Sequence, residues 1–175
     1  MKVAFVVGHH NKSKGAYSRF GSEWDFYNEV MECLDSPNVF YHNSDIRGYN
    51  NRIINTAYKL NQLDFDLVIE LHFNASANPQ ANGCETLYWH HSVKGKEYAK
   101  LFSKEVNDHT GIKLRNNGLK ALTYPSERGY GAVYYPSAPT ILIEPFFGTN
   151  ECDCDLIKDA RNMSIIINNF LKTIK

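Results

Sequence analysis

Short apolar runs alternate along this chain with longer segments whose apolar residues recur at helical spacing. Lys2 to Val7 is a compact apolar run closed by Gly8, which predicts a buried strand. Asn11 to Gly21 is polar and glycine-containing and reads as a loop. Ser22 is a fitting N-cap for a helix to about Leu34, with Tyr27, Val30, Met31 and Leu34 on one face. Pro37 closes that region, and Val39 to Tyr41 predicts a second strand. Ile53, Ala57 and Leu60 share one face of a helix from about Tyr49 to Leu63.

Leu67 to Leu71 is apolar on both faces apart from Glu70, as a central strand is. Asn74 to Asn82 is turn-rich. Thr86 to Trp89 predicts a strand. Val93 to about His109 predicts a helix with Tyr98, Leu101, Phe102 and Val106 inward. Asn116 to Ser137 mixes Gly, Pro and Tyr and has the least regular pattern. Thr140 to Ile143 is a further buried strand. Leu156, Ala160, Met163, Ile167, Phe170 and Ile174 trace one helical stripe from Asp155 to Ile174, read as core. Alternating strands and helices predict an α/β fold: a twisted, mostly parallel sheet flanked by helices. No repeat, linker or low-complexity segment interrupts it, so residues 1–175 are expected to form a single domain.

In such sheets ligands bind outside the carboxyl ends of the strands. His9, His72 and Glu144 each follow an apolar run at such an end, and Glu23 opens the first helix. Each has a plain explanation taken alone. A single His after a strand is more often structural than a ligand. Glu23 suits a helix N-terminus through the helix dipole. Glu70 or Glu144 could be a buried acid paired with an arginine, Arg128 or Arg19 in the case of Glu144. Taken together, two His and a carboxylate suit a zinc ion that keeps one position open. Glu144, among Ile141–Ile143 and Pro145–Phe147, should have a raised pKa unless paired, as a proton-cycling group needs. His10 is a candidate substrate contact. Glu70 shares the face of His72 by alternation and is a candidate neighbour of the metal or of the substrate.

Composition narrows the classes. The chain is 43% hydrophobic and 13% aromatic, enough for a real core. Lys+Arg and Asp+Glu number 19 each, so the basic footprint of a nucleic-acid binder is missing. No apolar run has the length of a signal peptide core or a membrane span, so no membrane insertion is expected. A protein made in the cytoplasm and monomeric is the expectation. The four Cys, including the Cys152-x-Cys154 pair, read as reduced thiols in such a compartment.

An ordered set of motifs resembles the zinc-dependent N-acetylmuramoyl-L-alanine amidases of the amidase-3 type, which cut peptidoglycan. VVGHH stands where that family has a strand and Gly-His-Gly, with His10 in place of the second Gly. GSEWDFYNEV is similar to its Gly-x-x-Glu element, through Gly21, Glu23 and Asn28, one residue shorter in spacing. Arg52 and Asn55 match a later helix. IELHFNAS keeps His72, Asn74 and Ala75 of a Ser-x-His-x-Asn-Ala strand end, with Glu70 replacing the Ser. GCETLYW resembles the next Gly-x-Glu strand, and APTILIEPFFGTN the final run to Glu, with Glu144 and Asn150.

The resemblance implies Zn2+ held by His9, Glu23 and His72, and Glu144 as the catalytic acid/base. It implies a phosphorylase/hydrolase-like α/β fold and peptidoglycan as substrate, with His10, Asn74 and Glu70 as candidate substrate-binding residues. A catalytic domain without a separate wall-binding domain or leader looks like a phage endolysin that reaches the wall after release. A bacterial amidase used at mother-cell lysis is the other option. Two competing readings stand beside these: a zinc carboxypeptidase on wall peptides, and a non-catalytic peptidoglycan-binding module.

Overall fold

A computed structural model of the chain describes residues 1–34, 36 and 38–174. The expected α/β architecture is present. Six strands among these residues form one sheet in the order β4-β1-β5-β8-β6-β7. They are β1 (Val3–Val7), β4 (Val39–Tyr41), β5 (Leu67–Leu71), β6 (Cys84–Trp89), β7 (Leu114–Leu122) and β8 (Thr140–Glu144). Strands β2 (Tyr17–Ser18) and β3 (Gly21–Ser22) pair separately in the stretch expected to be a plain loop. The helices are α1 (Glu23–Leu34), α2 (Tyr49–Leu60), α3 (Val93–Thr110), α4 (Tyr130–Tyr134), α5 (Glu151–Ile157) and α6 (Ala160–Thr173).

Strands β4, β1, β5 and β8 run parallel, while β6 meets β8 antiparallel and β7 then runs parallel to β6. The chain steps from β1 outward to β4 and then back across β1 to β5. That reversal opens a crevice at the carboxyl end of β1, where open α/β sheets bind ligands. Because β6 is reversed, its first residues lie at this same end, with Glu85 paired to Glu144 in register.

The two faces of the sheet are unlike. Phe5, Ile69, Ile141 and Ile143 point to a continuous apolar layer made with Phe26 of α1, Phe102 of α3 and Phe170 of α6. Truncating one of these aromatic rings should cost about 3–5 kcal/mol. The opposite face carries two smaller clusters, Val6 and Val68 with Leu60 and Phe65, and Leu87 and Leu142 with Ala132 and Val133. Alternation puts Glu70, His72, Glu85 and Glu144 on this second, thinner side.

Several expectations need correction. The stretch from Asn116 to Ser137 is not irregular throughout: β7 and α4 occupy much of it. β7 hid because it is a polar edge strand, distorted where Asn116 and Asn117 take positive φ and the register with β6 shifts. The C-terminal stripe is two helices, broken at Lys158 with φ 71° and restarted by Asp159, whose side chain accepts from the Asn162 amide. The break turns Leu156 outward and buries Ile157 instead. The Ser22 cap is as expected, its hydroxyl accepting from the Asp25 amide at 3.1 Å. The helix stop assigned to Pro37 lies outside the described residues. No helix among the described residues is long and apolar enough to cross a membrane.

Candidate metal centre

Three strand or helix ends bring His9, Glu23 and His72 together, with one potential ligand atom from each lying within 4.8 Å of the others. β1 ends at Val7, and His9 takes a left-handed φ of 67°, an uncommon conformation for a residue with a Cβ. His9 Nε2 ends 3.0 Å from Glu23 Oε2. Glu23 starts α1 yet is only 1% exposed, so it is no ordinary first-turn acid. Its Oε1 faces His72 Nδ1 at 3.1 Å and accepts from the Phe73 amide, while Oε2 accepts from the Ala16 amide. Two glycines make this closeness possible. A Cβ on Gly8 would sit 2.5 Å from His72 Nε2, and one on Gly15 would sit 2.5 Å from Glu23 Oε2 and 2.6 Å from His9 Nε2.

The cluster fits a cation. His9 Nε2 is buried and, among the described residues, has no aligned hydrogen-bond partner despite its approach to Glu23. Burial alone would raise the Glu23 carboxyl, but His72 and His9 outweigh it and hold the group well below the usual carboxylate range. Burial alone would lower the His72 imidazole, but Glu23 and Glu70 outweigh it and raise the ring's pKa. Without a metal, positive charge therefore collects between two carboxylates. Two imidazoles and a carboxylate with that appetite for positive charge are the donor set of an open zinc site.

Glu144 sits on the other side of the cleft in a different setting. Asn74 Nδ2 donates to Glu144 Oε2 at 2.9 Å and to Glu85 Oε1 at 3.0 Å, holding two carboxylates side by side. Arg115 Nε lies 3.4 Å from Glu85 Oε1 and offsets its charge. Burial raises the Glu144 pKa, the Glu85 charge adds to this, and His72 opposes it. The cleft between the two sides is about 600 Å³ and is lined by His9, His10, His72, Glu144, Arg52 and Arg128, among others.

A family model described as N-acetylmuramoyl-L-alanine amidase matches residues 3–175. The chain belongs to that family. This amidase is similar in fold to an N-acetylmuramoyl-L-alanine amidase from Clostridium difficile 630, at 20% identity and a TM-score of 0.74, with 98% of this chain and 95% of that one covered. It is similar to the catalytic domain of the CD27L endolysin, at 24% identity and a TM-score of 0.75, covering 98% and 97%. It is also similar to the catalytic domain of CwlV, an amidase from Paenibacillus polymyxa, at 20% identity and a TM-score of 0.68, covering 99% and 98%. A comparison with curated proteins finds no match.

The candidate site residues His9, His10, Glu23, Glu70, His72, Asn74 and Glu144 all lie at this end of the sheet. His10 lines the cleft, its pKa lowered by burial and by the Arg52 charge. Asn74 faces Glu85 and Glu144 rather than the open cleft. Glu70 is paired with His72 and His42, not with an arginine. Arg19 is engaged with Asp155 and Glu151. Two residues escaped the sequence reading, and a third, Glu85, was matched there only as the Glu of a Gly-x-Glu strand, with no role, because only the reversal of β6 brings its start to this edge. His42 follows β4 just as His9 and His72 follow their strands, so the strand-end rule would have found it. Gly15 carries no signal in an unassigned loop.

Proposed function

We propose that this amidase hydrolyses the bond between N-acetylmuramic acid and L-alanine with a zinc ion held by His9, Glu23 and His72, and with Glu144 as acid and base. The observation that carries this reading is the juxtaposition of the His9–Glu23–His72 cluster with a partly buried carboxyl whose pKa is raised. When bound, the ion supplies Lewis acidity for the attacking water and for the carbonyl oxygen. Glu144 takes a proton from the water as its oxygen bonds to the lactyl carbonyl carbon. Asn74 holds the carboxylate of Glu144 in place through its amide protons. As the C–N bond breaks, Glu144 delivers that proton to the departing nitrogen of L-alanine. The products are a lactyl carboxylate and a free amino terminus, and no covalent link to the protein forms. His10 and the guanidinium groups of Arg52 and Arg128 line the approach and are placed to meet polar parts of the substrate.

The lytic reading draws on the likeness to the CD27L endolysin domain. In it the chain is a catalytic domain, made in the cytoplasm and acting on the wall once the membrane is breached. Purified cell walls test both levels. The protein should lower wall turbidity and release amino termini from muramoyl-linked alanine. Glu144→Ala should fold, retain zinc and lose turnover by roughly 10²–10⁴-fold. Release of single terminal amino acids instead would mean a carboxypeptidase. Normal turnover by the variant would remove Glu144 from the reaction.

A further inference from the structure

Glu70 has no task in the reaction above, and it stands where the related motif has a serine. Its side chain is 4% exposed in the middle of the sheet, between the backbone partners Val6 and Leu142. A buried carboxylate with no partner would be strongly destabilising, so its neighbours define its purpose. Among the described residues no Lys or Arg forms an ion pair with it. Oε1 instead lies 3.3 Å from His72 Nε2 and 3.3 Å from His42 Nε2. Both contacts are long beside the about 2.7–2.9 Å of a charge-assisted hydrogen bond, as suits one oxygen shared by two rings.

The two nitrogens of His72 thus face different acids. Nε2 faces Glu70, and Nδ1 faces Glu23 on the side where His9 converges. His42 is itself braced: its Nδ1 lies 2.9 Å from Thr56 Oγ1 on α2, and Thr56 donates in turn to the Arg52 carbonyl. His42 is 7% and Thr56 3% exposed, so the line Thr56–His42–Glu70 is largely buried behind His72, which faces the cleft. Gly8 packs against the far end of the His72 ring, where any Cβ would collide with Nε2. The ring has little freedom to tilt or turn over. In a neutral imidazole, the nitrogen that keeps its proton is set by the acceptor it meets, and the other keeps a lone pair.

We propose that Glu70 is a positioning residue for the metal: it accepts the Nε2 proton of His72 and so presents Nδ1 to the ion, and His42, anchored by Thr56, holds Glu70 in place. This rests on the metal reading above. A carboxylate in this position also makes the ligand nitrogen more basic, and losing such a partner typically weakens metal binding by about 10–100-fold. A purely structural acid would change stability and leave metal affinity and the His72 proton where they are.

The test uses the full chain and zinc alone. Zinc affinity is measured by chelator competition for the wild type, Glu70→Gln, Glu70→Ala and His42→Gln, each first checked for native circular dichroism. Glu70→Ala should bind zinc about 10–100-fold more weakly. Glu70→Gln keeps an acceptor oxygen and should lose less, and His42→Gln less again. In zinc-loaded wild type labelled with ¹⁵N-histidine, His72 should carry its proton on Nε2 and bind through Nδ1. A folded Glu70→Ala with wild-type affinity, or a His72 proton on Nδ1, overturns the proposal. Should none of the variants fold, the wild-type nitrogen spectrum decides by itself. A wild type that binds no zinc brings down the metal reading first, and this proposal with it.

Discussion

Glu70 and Glu144 sit on the same face of neighbouring strands, and burial pushes both carboxyls toward the neutral form. Their outcomes are opposite. Glu70 is held down at about 2, because the contacts from His42 and His72 outweigh its burial. Glu144 is raised, because burial outweighs the opposing His72 charge, the Glu85 carboxylate adds to the rise, and its hydrogen-bond partner is only the neutral amide of Asn74. The difference teaches that the neighbour, more than the depth, decides what a buried acid can do here. Acids facing imidazoles stay charged and hold positive charge in place. The acid facing an amide and a like charge is moved toward the neutral form, as a group that exchanges protons needs.

The sharpest way to break this contrast is to remove the acid at the centre of the imidazole side. Glu23→Ala leaves His9 and His72 without their shared carboxylate. It should abolish zinc binding, reduce wall hydrolysis to background and lower stability by about 3 kcal/mol. Equilibrium denaturation and zinc titration read both effects, and a variant that keeps its zinc would show that Glu23 is not a ligand.

The amide side is sharpened by a gentler change. Glu85→Gln removes the negative charge that helps raise Glu144. The Glu144 pKa should then fall, and since the proposed reaction needs Glu144 deprotonated, the acid limb of the pH–rate profile should move to lower pH. The plateau rate should drop less than tenfold, as expected for a change of about 1 kcal/mol. A limb that stays in place or moves to higher pH would mean that Glu85 does not tune Glu144.

The same contrast separates what the chain announces from what it conceals. Apolar runs ending at Gly8, His72 and Glu144 were readable because central strands are short and almost wholly apolar. Their shared edge followed from the α/β pattern. Glu23 was readable as a helix start but not as a buried group, because burial depends on the β2–β3 turn that folds Ala16 over it. Glu85 and the Asn74 bridge depend on β6 running against β8, which no local pattern encodes. β7 was obscured by polar edge residues. The break at Lys158 was obscured because a lysine with positive φ has no sequence signature, and the apolar spacing runs on across it. The three candidate ligands and Glu144 were therefore visible in sequence, while the setting of Glu144 beside Asn74 and Glu85 needed the sheet order.

Anomalous diffraction at the zinc edge from crystals of the zinc-loaded, active protein tests the central claim most directly. One peak is expected at about 2.0–2.2 Å from His9 Nε2, a Glu23 carboxylate oxygen and His72 Nδ1. A peak held by other residues, or none in crystals of active protein, would contradict it.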